Sequence, residues 1–248
     1  MILDAHVHTD KYSLEDLNKV AIECRTHNIK LLSVAMCIPS YISIKALSDK
    51  NDFVIPSFGI HPWKADIYAQ DLMSLDKYLL ESKYIGEIGL DQKFLDYAAP
   101  FTDQQQVFEY IVSHSAVDNK LLNLHTSGAE LEVLQVLERY KRHKFIVHWY
   151  AGDLGILDKY LALGGHFSIG VEILFSEHIR EITRRIPLDR ILIETDNPSS
   201  YSWLLGKEQN DGMPTLLFKV IDKICEVKQI SVSDFLKTLQ ANQENILL

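Results

Sequence analysis

The stretch ILIETDNPSS, residues 191–200, decides how the rest of the chain is read. An oily run stops at two carboxylates, Glu194 and Asp196, followed at once by Asn197 and Pro198. Burying a carboxylate at such a place is costly unless a partner compensates it. A lone acid there is ordinarily a turn former, since Asp before Asn-Pro makes a good Asx turn. The meaning of Asp196 therefore depends on whether other runs in the chain end the same way.

They do. Short β-rich runs recur as ILDAHV (2–7), KLLSVAM (30–36), FVIPSFGI (53–60), YIGEIGL (84–90), KLLNLH (120–125), KFIVHW (144–149), GHFSIG (165–170) and RILIET (190–195). Between them SLEDLNKVAIECRTHN, DLMSLDKYLLESK, TDQQQVFEYIVSHSAVDNK and GAELEVLQVLERYKRH carry apolar residues at helical spacing. Several open on Ser, Thr or Asp, as helix N-caps do. The runs are oily on both sides, which suits strands covered on both faces. Eight such units in 248 residues is the arithmetic of a (β/α)8 TIM barrel, an α/β fold. The expectation is a single domain over residues 1–248, with the tail from MPTLLFKVIDK onward supplying the last helices. A doubly wound open sheet is the alternative, but its Gly-rich phosphate fingerprint is missing after the first run.

Composition is ordinary for a globular chain, at 47% hydrophobic and 24% charged. No apolar run approaches the ~20 residues that cross a bilayer. The start, MILDAHVHTD, does not read as a signal peptide. Cys24, Cys37 and Cys225 lie far apart without metal-type spacing, so reduced core thiols and a cytoplasmic protein are expected. The net charge of −9 argues against a broad basic surface for duplex nucleic acid. It leaves room for a substrate phosphate held by metal ions, because the relevant charge is then local.

The chemistry lies in where the runs end. His6 and His8 close the first, Glu87 sits late in the fourth, His125 ends the fifth, His148 closes the sixth and Asp196 follows the eighth. In a barrel these ends meet at the C-terminal face, where active sites of the fold are built. His6 and His8 are two apart and so point to the same side of their strand. Four imidazoles and two carboxylates are a donor set for cations. Each piece has a plainer explanation by itself. HVH alone is a chance pair, GEIGLD a glycine-rich strand exit, LHTSG a strand followed by a cap at Thr126 or Ser127, and VHW a core histidine beside an aromatic ring. Taken together these explanations require five coincidences at equivalent strand ends. His27, His114, His143, His166 and His178 show no such placement and read as ordinary.

The stretches DAHVH, GIHPW, GEIGLD, LHTSG, VHWYAG, FSIG and ETDNP, with NQENILL near the end, resemble the TatD family of metal-dependent hydrolases, within the amidohydrolase-type barrels. The resemblance covers nearly the whole chain, in order. It implies a TIM barrel, and characterised members include nucleases acting on DNA. It further implies two divalent metal ions, with His6, His8 and Asp196 on one, His125 and His148 on the second, and Glu87 bridging. Four imidazoles favour zinc or manganese over magnesium, although family nucleases are usually described as magnesium-dependent. Two departures stand out. Members often carry an arginine two residues after the fifth-strand histidine, where this chain has Ser127, and an HCFSG-like stretch reads HWYAG here. Lys64, Lys93 and Lys207 are candidates to replace that arginine. HWYAG and FSIG are also similar to TatD-like proteins of some bacterial phage-defence operons.

The expected function is thus a deoxyribonuclease trimming single strands or ends of DNA. Glu87 and Asp196 are the catalytic candidates, and Asp196 is also the general base that takes a proton from the attacking water. His61, Trp63, Trp149 and Tyr150 are candidate substrate contacts, with Tyr201 and Trp203 further candidates for stacking bases. Asp4 is expected to orient a ligand histidine. Two alternatives stay open: hydrolysis of another bond, such as an aminoacyl-tRNA ester or a small amide or ester, and a component of a defence complex that needs a protein partner.

Overall fold

The computed structural model describes residues 1–206 and 213–248, so Lys207 lies outside the described residues. The strands are β1 (Ile2–Val7), β2 (Ile29–Val34), β3 (Val54–Phe58), β4 (Tyr84–Gly89), β5 (Leu121–His125), β6 (Phe145–His148), β7 (His166–Ile169) and β8 (Ile191–Ile193). They form one eight-stranded sheet in sequence order, β1-β2-β3-β4-β5-β6-β7-β8. Sequential order with parallel pairing is that of the (β/α)8 barrel and rules out the doubly wound alternative, whose strand order reverses. By contact the chain divides into two compact units, one of Met1–Ser33, Ser43–Ile55 and Phe167–Leu248, the other of Val34–Ile42 and Pro56–His166.

In the first unit β1 pairs with β2 from Ile2↔Ile29, and β7 with β8 from Phe167↔Ile191. Backbone bonds from Asp196 N to His6 O (3.0 Å) and from His8 N to Asn197 O (2.9 Å) join the end of β1 to the segment after β8. Helix α1 (Leu14–His27) starts at Ser13, whose Oγ accepts from Asp16 N, and stops at Asn28 in the left-handed region. It buries Val20, Ala21 and Cys24. Helix α9 (Leu216–Lys228) buries Leu216, Leu217, Val220, Ile221, Ile224 and Cys225. Each large aliphatic side chain so buried contributes roughly 1.5–3 kcal/mol. The tail helix α10 (Val232–Leu247), capped by Ser231, carries the NQENILL stretch. Buried Asn242 donates its amide protons to Leu188 O and Ile191 O, both at 2.8 Å, and Gln243 donates to Leu3 O at 3.4 Å.

In the second unit β3, β4, β5 and β6 pair in turn, and every residue of β4, β5 and β6 is buried. The β4–β5 register shifts between Ile85 and Ile88. Such an irregularity re-aims a side chain, and here it falls on Glu87. Gly59 is required beside it, because a Cβ at that position would stand 2.4 Å from Glu87 O.

Three helical expectations change. DLMSLDKYLLESK forms a 3-10 turn over Leu72–Leu75 and then the short helix α3 (Asp76–Glu81). Helix α4 (Phe101–Ser113) ends at His114, whose Nδ1 accepts from Ala116 N and starts a separate turn. Neither Thr126 nor Ser127 caps α5 (Glu130–Arg139), because a turn from Thr126 to Ala129, with Gly128 at φ +70°, intervenes. The cysteines are free thiols, Cys24 and Cys225 buried and Cys37 half-buried.

Candidate metal centre

Within the first unit the donors sit at the end of β1 and just past β8. His6 Nε2 and His8 Nε2 both face Asp196 Oδ1, at 3.8 and 3.4 Å. The two rings stand edge to face, 5.2 Å apart. His6 and His8 are buried, and Asp196 is partly open with its backbone at φ +51°, a conformation aspartate tolerates better than most residues. Two donors at tetrahedral positions ~2.0–2.1 Å from a zinc ion are about 3.3 Å apart. The observed spacing is of that kind.

Behind these donors lies a buried carboxylate, Asp4. It accepts from Thr195 N (3.0 Å), Thr195 Oγ1 (2.6 Å) and His6 N (3.3 Å). Its bonds are with Thr195, just past β8, and with the backbone N–H of His6, so it meets the β1 histidines through the main chain. Burial pushes its carboxyl up to about 7, against the lowering effect of the Thr195 bonds. Glu194, the other acid of the opening stretch, is fully buried and accepts from the Ser168 hydroxyl.

Within the second unit three imidazoles converge on one carboxylate oxygen. Glu87 Oε1 is 2.9 Å from His125 Nδ1, 2.9 Å from His148 Nε2 and 3.3 Å from His61 Nε2. His125 Nδ1 and His148 Nε2 are 3.4 Å apart. His61, Glu87 and His125 offer donor atoms within 4.8 Å of one another, all buried. Imidazole nitrogens this close to one another and to one carboxylate oxygen make a buried cluster suited to binding a divalent cation.

His61 plays a different part from the other two. Its Nδ1 accepts from Trp63 N (3.1 Å), so the neutral ring carries its proton on Nε2 and points it at Glu87. That nitrogen holds Glu87 in place, and it joins Glu87 and His125 as a donor only when its proton leaves.

His125 reaches a second carboxylate through its other nitrogen, Nε2 to Asp91 Oδ2 at 2.9 Å. Burial pulls the His125 imidazole down, but Asp91 and Glu87 outweigh it and leave it above its ordinary value. Burial would raise Asp91, yet His125, Phe94 N and the Trp63 indole hold it at about 2. Asp91 and its partner Gln104 escaped the sequence reading. The available signal was the acid in GLD, two residues beyond the end of β4.

The remaining candidates scatter. Trp63 is half-buried, its indole N–H donating to Asp91 Oδ2 (2.8 Å) and its face stacked on exposed Tyr97 (5.1 Å, 25°). Trp149 is half-buried, on backbone at φ +42°. Tyr150 and Tyr201 are buried, so their rings pack within the protein and do not lie open for stacking. Tyr150 donates its hydroxyl to Asp153 O (2.6 Å). Trp203 is exposed, as are Lys64 and Lys93, the latter lying over the Phe94 ring. Among the described residues no helix is long and apolar enough to cross a membrane.

Comparison with known proteins agrees with this geometry. The chain is 28% identical to YcfH of Escherichia coli (strain K12), named as an uncharacterized metal-dependent hydrolase, over 97% of this chain and 93% of that protein. It is 27% identical to the human deoxyribonuclease TATDN3, over 97% and 92%. Its fold matches the crystal structure of the TatD homologue YjjV from Escherichia coli K12 with a TM-score of 0.82 at 20% identity, covering 99% of this chain and 97% of that one. The profile described as TatD related DNase matches residues 3–247, and the chain accordingly belongs to this family of metal-dependent hydrolases.

Proposed function

We propose that this hydrolase is a deoxyribonuclease acting on single strands or ends of DNA. In this reading His6, His8 and Asp196 hold one divalent cation, His125 and His148 hold a second, and Glu87 is shared. The observation that carries it is the convergence of imidazole nitrogens on Glu87 Oε1 and on Asp196 Oδ1 at the spacing of metal donors. When bound, such a cation pair makes a water acidic enough to attack near neutral pH and polarises the scissile phosphoryl oxygen.

The chain's own residues do the rest. Asp196, partly open to solvent, accepts the proton of the attacking water. His61 steadies Glu87 from behind. Two dications bring four positive charges against the two carboxylates, so the centre attracts a phosphodiester although the chain is acidic. Ser127, at the position where the family resemblance implies an arginine, offers a phosphate no cation there. That favours a short grip on a strand end over long contacts with a duplex. Trp149, half-buried beside His148, supplies a face on which a base stacks, worth ~1–3 kcal/mol.

The test is metal analysis and nuclease assay of wild type beside Glu87→Ala and Asp196→Asn, with single-stranded DNA, duplex DNA and an aminoacyl-tRNA ester offered in parallel. Glu87→Ala is expected to lose metal and activity together. Asp196→Asn is expected to lose ~10²–10⁴-fold in turnover while retaining at least one ion. Unchanged DNA cleavage in both variants would overturn the reading, and turnover of the ester alone would move the substrate.

A further inference from the structure

Asp91 is almost fully buried in the loop after β4, and its carboxylate faces three N–H donors and one imidazole nitrogen. Oδ1 accepts from the backbone N–H of Lys93 and of Phe94, both at 2.8 Å. Oδ2 accepts from Trp63 Nε1 at 2.8 Å and stands 2.9 Å from His125 Nε2. The backbone of Asp91 is pinned as well, since its N–H donates to Gln104 Oε1 (2.8 Å) and its carbonyl accepts from Gln104 Nε2 (3.2 Å). Gln104 is itself fixed by a bond to Ala99 O (2.7 Å). An acceptor held this rigidly dictates the proton position on the ring it meets.

We propose that Asp91 is a positioning residue for His125. It holds the proton on Nε2 and thereby turns the Nδ1 lone pair toward Glu87 and His148, with the Trp63 indole bracing the same carboxylate oxygen. Outer carboxylates of this kind fix the tautomer and orientation of a ligating histidine. Trp63, a candidate substrate contact by sequence, thus acts at its indole edge through Asp91. The proposal rests on the reading of His125 as a metal ligand. It does not depend on which bond the protein hydrolyses.

The donor count makes the isosteric change informative. Asparagine offers one acceptor oxygen and one NH2 group, so Asp91→Asn must set two donors against two others on one side or the other. Zinc titration by calorimetry and ring-nitrogen NMR of the zinc-loaded protein test the proposal without DNA. Asp91→Asn is expected to weaken one zinc site ~10–100-fold and to speed solvent exchange of the His125 Nε2 proton. Trp63→Phe keeps the His125 bond but removes the other donor on Oδ2, so it is expected to shift that proton's resonance with only a few-fold change in affinity. A merely structural Asp91 would lower the melting temperature and leave the His125 proton unchanged. Wild-type affinity and exchange in Asp91→Asn would overturn the proposal. If that variant does not fold, an unmoved resonance in Trp63→Phe does so. A wild type that binds no zinc removes the ligand assignment itself, whereas one that binds zinc but cuts no DNA defeats the proposed substrate and leaves Asp91 in its role.

Discussion

At the ends of β6 and β8, Trp149 and Asp196 occupy left-handed backbone, at φ +42° and +51°. For aspartate the conformation is tolerable, while for a bulky residue it costs on the order of 1–3 kcal/mol and persists only where the surroundings enforce it. Trp149 adjoins the proposed ligand His148, and Asp196 is itself a proposed ligand, so both left-handed positions fall at the candidate site. The cysteines give a residue-scale prediction. Burial pushes the Cys24 thiol up to about 12, which leaves almost no thiolate at neutral pH. Cys37, half-buried, is expected to react with a maleimide at pH 7 at least tenfold faster than Cys24, read by mass spectrometry of the native protein. Comparable rates at the two positions would contradict the burial of Cys24. The metal-donor candidates were legible in the sequence because each sits at a strand end, where period and position alone predict its direction. Asp91 was not legible. Its partners Trp63, Gln104 and His125 come from three separate segments, and nothing in GLDQK announces that four nitrogens will surround its carboxylate.

Elements were readable to the extent that local signals agreed with burial. The oily runs became strands because both faces are covered, and α1 and α10 start at Ser13 and Ser231 as capping predicts. The stretch before β4 failed as a long helix. Asp71 opens a 3-10 turn over Leu72–Leu75, and only the six residues that follow are α-helical. The Asn-containing tail gained its meaning only in the structure, where Asn242 satisfies the carbonyls of Leu188 and Ile191 beside β8. Replacing it by leucine leaves the buried Ile191 carbonyl and the half-buried Leu188 carbonyl without that donor. Asn242→Leu is therefore expected to destabilise the fold by about 2 kcal/mol, at ~1–3 kcal/mol for a stranded buried polar group, measured by urea unfolding. A loss under a few tenths of that would show that α10 is held by its apolar face alone.

For the molecule as a whole, a ligand that binds the native state alone stabilises it by mass action. A divalent cation supplied at about a hundred times its dissociation constant adds ~2.7 kcal/mol, which for a chain of this length is a rise of roughly 5–10 °C in melting temperature. Chelation should reverse that rise in the wild type and change Glu87→Ala little, as scanning calorimetry would read. A wild-type midpoint indifferent to chelator would mean that no cation is held by the folded protein. The bonds that tie β1 in place span most of the sequence: Asp4 meets Thr195, 191 positions away, and Leu3 meets Gln243, 240 positions away. During synthesis, then, β1 and the histidines at its end must wait for a segment made about two hundred residues later before these bonds can close. Until then His6 and His8 lack the carboxylate of Asp196 that faces them in the folded protein.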